Sequence, residues 1–328
     1  MNIVIMGGTG FIGTLLTRYF QQRGHNLTIS TRQSSLYTAS STQKASNIKY
    51  IAYNKTALSK VLRTSDVVIN LSGTPLATGR WTMSQKKRIL TSRVKSTQLL
   101  NQIVTELATP PKLIINASAI GIYPEATHSV FAEHSLPSVS KSSSKLPSKL
   151  PSKLALTTKS SFLTDVCTAW EGAFYNTKPP KASCRKVCLR IPVVLERSGG
   201  LFAKLYGIYK KGGGAILGTG RQGLTWVHGA DFVRLIDFII QTPHINGTIN
   251  ASAPYPVEMR VFAEIMAKRL QTSLLPRIPT WIVRLAAGER SFLLTEGAYI
   301  IPDYLLRKTT FRYNYPTIEK AMANLIPS

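Results

Sequence analysis

Short apolar runs alternate with amphipathic stretches along most of this chain. Asn2–Met6 reads as a buried strand and Thr14–Arg23 as a helix closed by Gly24 at its C-cap. Asn26–Thr31 predicts a second strand. Val67–Leu71 predicts a buried strand after a short helix, Ser84–Leu107 a long amphipathic helix, and Leu113–Ala117 a further strand. After an interruption the rhythm resumes with a helix over Phe162–Phe174 and a strand over Lys186–Val194. A glycine-rich stretch, Gly199 to Gly220, leads to a strand over Leu224–His228. A helix over Asp231–Gln241 and a short strand over Thr248–Asn250 then return to the main sheet. Strands alternating with helices imply βαβ units and an α/β, doubly wound parallel sheet. Residues 1–198, with 224–251 returning, form the expected main domain. Residues 199–223 and 252–328 form a smaller α+β domain over the strand ends.

The interruption spans 136–161. There Lys-Leu-Pro-Ser recurs with period four, at Lys145–Ser148 and Lys149–Ser152. Proline at that spacing forbids helix and central strand alike. Lysines repel one another, and few residues could build a core. A disordered or mobile surface insertion is expected.

The loop between the first strand and the first helix carries the clearest chemistry. Gly7-Gly8-Thr9-Gly10-Phe11-Ile12-Gly13 has the spacing G-x-x-G-x-x-G and sits between a strand and a helix, as a dinucleotide fingerprint must. Gly7 permits a tight turn, Gly10 lets the backbone approach a pyrophosphate, and Gly13 lets the helix pack closely on the strand. The helix N-terminus then offers free N–H groups to phosphate, with Thr9, Phe11 and Ile12 lining the same cradle. This is a Rossmann arrangement. An NAD site places a carboxylate about twenty residues onward for the ribose 2′-hydroxyl. Here the second strand ends Ser30-Thr31-Arg32, and the first acidic residue of the chain is Asp66. Arg32 can pair with a 2′-phosphate, with Ser30 or Thr31 as added donors, so NADP(H) is favoured over NAD(H). A solvated surface cation is the alternative for Arg32.

Composition changes this picture in one respect. The 328 residues hold 41 Lys and Arg against 15 Asp and Glu, a net charge of +26. Such a balance attracts anions. Yet the cations are spread along the chain with no basic stripe interleaved with aromatics, so no specific nucleic-acid partner is expected. Cys167, Cys184 and Cys188 form no disulfide framework and no metal-ligand spacing, which predicts a reducing compartment and no metal. No apolar run is long enough for a transmembrane segment, and no secretory signal is evident, so a cytoplasmic location is expected.

Further blocks make the pattern specific. They include Asn70-Leu71-Ser72-Gly73, Gly79-Arg80-Trp81, Ser92-Arg93-Val94, Ser118-Ala119-Ile120-Gly121-Ile122-Tyr123, Trp170-Glu171, Gly218 to Gln222, and Trp226-Val227-His228 with Asp231. Asn250 to Pro254, Gly288-Glu289 and Tyr315-Pro316 follow. With these blocks the chain resembles the atypical short-chain dehydrogenase/reductases known as NAD-dependent epimerase family proteins, many of which carry a cell-division-inhibitor label. The resemblance runs from Met1 to about Met322, with 136–161 as its main interruption. It implies an extended-type Rossmann domain with a small C-terminal substrate domain, and cofactor contacts from Leu71, Ser72, Gly73, Arg93 and Ser118. Homodimers are common among relatives of this fold, although no diagnostic interface is visible here. Pro124 stands where the family has glycine, and Gly229-Ala230 departs from it before Asp231.

Short-chain dehydrogenases use a Tyr-x-x-x-Lys pair in which the lysine lowers the pKa of the proton-exchanging tyrosine. Ser118 matches their serine. The pair should then fall near residues 163 and 167, which are Leu163 and Cys167. Tyr206 and Lys210 have the spacing in the wrong context. Tyr123, in the loop beyond Ser118, is the best substitute proton donor, although a packing tyrosine fits the sequence equally well. Arg80, Trp81, Arg221 and His228 are candidates for holding an unidentified small, polar substrate, and Arg80, Arg93 and Arg221 suit an anionic one or the cofactor phosphates. A solvated cation is the equal alternative for each arginine, and a structural role is the commoner one for a strand histidine before a turn. Two readings follow: an NADP(H)-dependent oxidoreductase or epimerase-like enzyme, and a dinucleotide-binding regulatory protein without turnover, linked to cell division.

Overall fold

The computed structural model describes residues 1–35, 47–124, 129–136, 159–176 and 184–327, with backbone alone at 159–161. The insertion expected over 136–161 therefore lies almost wholly outside the described residues. Seven parallel strands form the central sheet: β1 Asn2–Met6, β2 Asn26–Thr31, β3 Ile48–Ala52, β4 Val67–Asn70, β5 Leu113–Ala119, β6 Arg185–Ile191 and β7 Gly247–Asn250. Their order is β7-β6-β5-β4-β1-β2-β3. The helices α1 Phe11–Gln22, α2 Lys55–Leu62, α3 Met83–Glu106, α4 Lys159–Tyr175, α5 Gly200–Lys210, α6 Gly229–Gln241, α7 Met259–Leu270, α8 Thr280–Ala287 and α9 Ile318–Leu325 accompany it, with shorter turns between. Among the described residues, no helix is long and apolar enough to cross a membrane.

A parallel sheet covered on both faces needs strands that are apolar on both faces. β1 shows how this works. Ile3 and Ile5 join Leu16 and Phe20 of α1 in one core, while Val4 and Met6 join Leu58 and Leu62 of α2 and Leu100 of α3 in the other. A third core lies between Leu195 and Ile326, built on Phe202, Trp226, Phe262, Met266, Met322 and Leu325.

Two predicted strands are revised and one strand is added. β3 was not expected; its alternation is weak because Lys49 and Tyr50 sit on a partly covered edge strand. The strand predicted over Lys186–Val194 stops at Ile191, where Pro192 cannot donate to a ladder, and restarts as Val193–Leu195. The strand predicted over Leu224–His228 also divides. Trp226–His228 pairs with Val193–Leu195 outside the central sheet. Thr225 marks the break: its hydroxyl donates to the Ala298 carbonyl at 2.7 Å and accepts from the Ile300 N–H. Only β7 of the predicted return segment rejoins the main sheet, parallel to β6.

The chain leaves β1 toward β2 and β3, then crosses back to β4 on the other side. At such a reversal the connecting loops part and leave a crevice at the carboxyl ends of the strands, where open α/β sheets bind ligands. Gly7–Gly10, after β1, and Leu71–Gly73, after β4, flank it.

Candidate functional site

Gly7 has φ +75°, a region closed to most side chains, and a Cβ there would stand 3.0 Å from the Ser72 Cα. The two loops are therefore in contact. A Cβ on Gly13 would come within 2.5 Å of the Gly8 Cα, so α1 sits hard against the loop. Gly10 begins α1 in extended conformation without a capping side chain, and the first turn carries no acidic residue. α2, α3, α6 and α9 are capped by Asn54, Thr82, His228 and Thr317 respectively. Among the described residues, no side chain caps the first N–H groups of α1, which fits an anionic group. Thr9 Oγ1 lies 3.5 Å from Thr31 Oγ1, so the glycine loop meets the end of β2, where Arg32 is exposed. One buried hydroxyl oxygen, Ser30 Oγ, has no hydrogen-bond partner among the described residues. Phe11 packs under Gly199 and Gly200, where a Cβ would stand 2.5 Å and 2.8 Å from its ring. The residues present thus fit a dinucleotide: bare N–H groups, room for backbone approach and a cation at the ribose end.

Arg93, on α3, presses against Gly73. Its Nη1 donates to the carbonyls of Thr74 and Ile89, each at 3.0 Å, and its guanidinium lies 5.1 Å from the Trp170 ring. No carboxylate is among these partners. Burial pulls its pKa below the usual guanidinium range. Ser92 Oγ accepts from the Thr74 N–H and fixes the same loop.

Ser118 and Tyr123 belong to one buried network beneath the strand ends. Ser118 donates to Glu171 Oε1 at 2.7 Å. Arg190 grips both oxygens of Glu171, Nε to Oε1 and Nη2 to Oε2, each at 2.9 Å. Its Nη1 donates to the Tyr123 hydroxyl at 2.8 Å. That hydroxyl faces Asn250 Oδ1 at 2.9 Å and the Ala132 carbonyl at 3.2 Å as acceptors. The Asn250 N–H donates to Glu133. Burial raises the Tyr123 phenol above its usual pKa, against the opposing pull of Arg190. Glu171, Arg190 and Asn250 were not singled out for this role from sequence. Arg190 carried the usable signal, since a charge inside the apolar run Val187–Val194 requires a partner.

On α4, Leu163 and Cys167 occupy the positions expected of the Tyr-x-x-x-Lys pair. Both face Gly121, whose Cβ position lies 3.2 Å from Leu163 Cβ and 3.8 Å from Cys167 Sγ. Burial pushes the Cys167 thiol up to about 12. Neither side chain can exchange a proton with substrate near neutral pH.

The candidate substrate residues fall into two groups. Arg80 is exposed on the loop before α3, and Trp81 beside it is buried, with its Nε1 donating to the Leu76 carbonyl at 2.9 Å. Arg221 is exposed on the turn before Gln222. The segment Gly288–Thr295 touches both loops. Arg290 donates to the Ala77 carbonyl at 3.1 Å, Glu289 pairs with buried Lys86 at 2.6 Å, and Gln222 donates to the Leu294 carbonyl at 3.0 Å. Arg80, Arg221 and Arg290 thus stand on three segments that meet.

His228 is engaged by other residues. Its Nδ1 accepts from the Ala230 N–H, capping α6, so Nε2–H donates to Asn324 Oδ1, both at 3.1 Å, while Tyr315 stacks on the ring at 3.9 Å. Burial lowers its pKa against the opposing pull of Asp231 and Glu196. The folded value lies below the unfolded one of about 6.5. Its contribution to stability is therefore complete above that pH and declines as pH falls through it toward the folded value. His228→Ala is expected to cost about 0.5–2 kcal/mol at pH 7.5, the range for a lost cap. It should also flatten the decline in urea midpoint between pH 7.5 and 5.5. An unchanged pH profile would exclude this assignment.

Comparison with known proteins places the chain. Residues 3–146 match the model of the NAD dependent epimerase/dehydratase family, and residues 278–325 match a domain of unknown function, DUF1731. The epimerase family protein YfhF of Bacillus subtilis is 31% identical over 99% of this chain and 98% of its own length. The human epimerase family protein SDR39U1, in a crystal structure with NADPH, is 25% identical with a TM-score of 0.80, covering 99% of both chains. The UDP-glucuronic acid 4-epimerase of Bacillus cereus, solved with UDP-glucuronic acid and NAD, shares the fold at 16% identity and a TM-score of 0.65. Parallel sheet, glycine loop and near end-to-end likeness agree: this chain belongs to the epimerase family proteins of the atypical short-chain dehydrogenase/reductase group.

Proposed function

We propose that this chain binds NADP(H) in preference to NAD(H) and serves as an oxidoreductase or epimerase-like enzyme on a small anionic substrate. The carrying observation is Arg32, exposed at the end of β2, with no acidic residue in the chain before Asp66. The NADPH in the human relative's structure supports the same choice. When bound, the cofactor would supply or accept hydride. Gly7, Gly10 and Gly13 with the N-terminus of α1 would hold its pyrophosphate, and Thr9, Thr31 and Arg32 the 2′-phosphate end. Leu71, Ser72 and Gly73 would wall the site on the β4 side. Arg93, held by backbone carbonyls and the Trp170 ring, is suited to an anion of the cofactor or the substrate. Arg80 and Arg221, with Trp81 beneath, would receive an anionic substrate at the meeting of their loops.

Tyr123, positioned through Arg190 and Asn250, is the proton donor this reading requires, with Ser118 holding Glu171 in place behind it. A second reading, a dinucleotide-binding regulator without turnover, draws support from Leu163 and Cys167 at the usual acid positions and from the bonds that already engage Tyr123. NADPH consumption in the presence of a metabolite pool separates the two readings.

Titration of NADPH and NADH into wild type and Arg32→Ala tests the cofactor choice. A charge-assisted contact to phosphate is worth about 1.5–3 kcal/mol. NADPH affinity is therefore expected to fall about 10- to 100-fold, with NADH affinity little changed. Equal losses for both dinucleotides would remove Arg32 from the 2′-phosphate site.

A further inference from the structure

Helix α8 is inverted relative to an ordinary surface helix. Trp281, Ile282 and Leu285 point outward, Trp281 at 66% exposure and Leu285 at 79%, while Val283 alone on the helix is buried. At 100° per residue, Trp281, Leu285, Ile282 and Ala286 form one continuous outward stripe. The preceding strand Leu275–Ile278 adds exposed Leu275. Of ten exposed large hydrophobics among the described residues, four fall between Leu275 and Leu285, so the patch is local rather than scattered.

Along the chain, the charges next to it are basic. From Ile265 to Gly288 the chain carries Lys268, Arg269, Arg277 and Arg284 and no carboxylate. Arg277 is exposed, and Arg284 flanks the stripe with about half its side chain in water while its guanidinium reaches Glu296 at 3.6 Å. Leu275 donates its N–H to the Gly214 carbonyl at 2.8 Å, which brings the turn after exposed Lys210 and Lys211 alongside, with Ile208 half exposed beside it.

We propose that this face, formed by α8 and the strand before it, docks on an anionic lipid bilayer surface. An outward stripe of Trp, Ile and Leu suits the headgroup–acyl boundary, and flanking Arg and Lys suit anionic headgroups. A second copy of the chain is the disfavoured occupant. An isologous contact would set Arg277 and Arg284 of each copy near their own images, in a molecule of net charge +26. The proposal concerns binding alone and stands independently of the catalytic reading.

The chain carries its own reporter. Of its four tryptophans, Trp81, Trp170 and Trp226 are buried and Trp281 is exposed. Full-length protein is mixed with vesicles of phosphatidylcholine, and with vesicles of phosphatidylcholine and phosphatidylglycerol, and followed by flotation and tryptophan emission. The expected result is at least a tenfold stronger partition onto the anionic vesicles, with a blue shift. Binding should weaken as salt rises from about 0.1 to 1 M, where the screening length contracts from about 10 to 3 Å. The double variant Trp281→Ser, Leu285→Ser should keep the wild-type thermal midpoint and lose both signals. Arg277→Glu, which leaves the apolar stripe intact, should lower partition several-fold. Equal partition of wild type and the double variant would overturn the proposal, as would wild-type protein that ignores anionic vesicles. A concentration-dependent dimer that the double variant disperses would give the face to a second copy and overturn it equally.

Discussion

Glu171→Ala is expected to lose about 3–5 kcal/mol of folding stability, because it leaves Arg190 charged and buried with its bidentate partner gone. Domains of this size are stable by only about 5–15 kcal/mol, so the loss is a large fraction of the whole. The damage would spread through shared bonds. Ser118 loses its acceptor, and Arg190, no longer held on two sides, loses its aim at the Tyr123 hydroxyl. The ordering of variants discriminates the cause. Glu171→Gln keeps the shape and some hydrogen bonds but not the charge, and should fall between Ala and wild type. Arg190→Met combined with Glu171→Leu should recover much of the single-variant loss, since removing both charges removes the uncompensated one. Urea denaturation at neutral pH measures all three. If Glu171→Ala proved as stable as the double variant, the pair would not be acting as a desolvated ion pair.

Gly13→Val has the second large effect, this time on binding. Any Cβ at residue 13 meets the Gly8 Cα at 2.5 Å, and backbone cannot rotate aside as a side chain can. α1 must shift outward along its first turn. Overpacking of this kind costs about 1–3 kcal/mol of stability. The same shift carries the N–H groups of that turn away from the proposed pyrophosphate position. Losing two charge-assisted hydrogen bonds at about 1.5 kcal/mol each weakens dinucleotide binding by about 10²-fold. Calorimetric titration with NADPH, alongside a thermal melt showing that the variant remains folded, checks the result. A folded variant with wild-type affinity would mean that the glycine loop does not cradle the phosphates.

Helix α3 and strand β1 show why so much of the frame was legible. Their apolar residues recur at the spacing that local geometry dictates, and burial on both faces made the parallel strands nearly continuous apolar runs. The glycine loop was equally legible, because its requirements are steric and local: a positive φ at Gly7 and no room for a Cβ at Gly13. Cofactor choice could be argued from an absence along one strand end, which also needs no tertiary information. β3 was missed because an edge strand is covered on fewer sides and shows less alternation.

The candidate chemistry was decided by distance in space. Glu171, Arg190, Tyr123 and Asn250 come from four separate elements, and nothing in their spacing along the chain says that they meet. Whether His228 faces a substrate or caps a helix depends on Asn324 and Tyr315, almost one hundred residues away. Local rules made most of the strands and the glycine loop legible, and gave the argument for a phosphorylated ribose. Only the packed fold determined which polar groups share a buried network, which arginine keeps a carboxylate, and which apolar stripe remains facing water, because each of those outcomes depends on what the rest of the chain brings alongside.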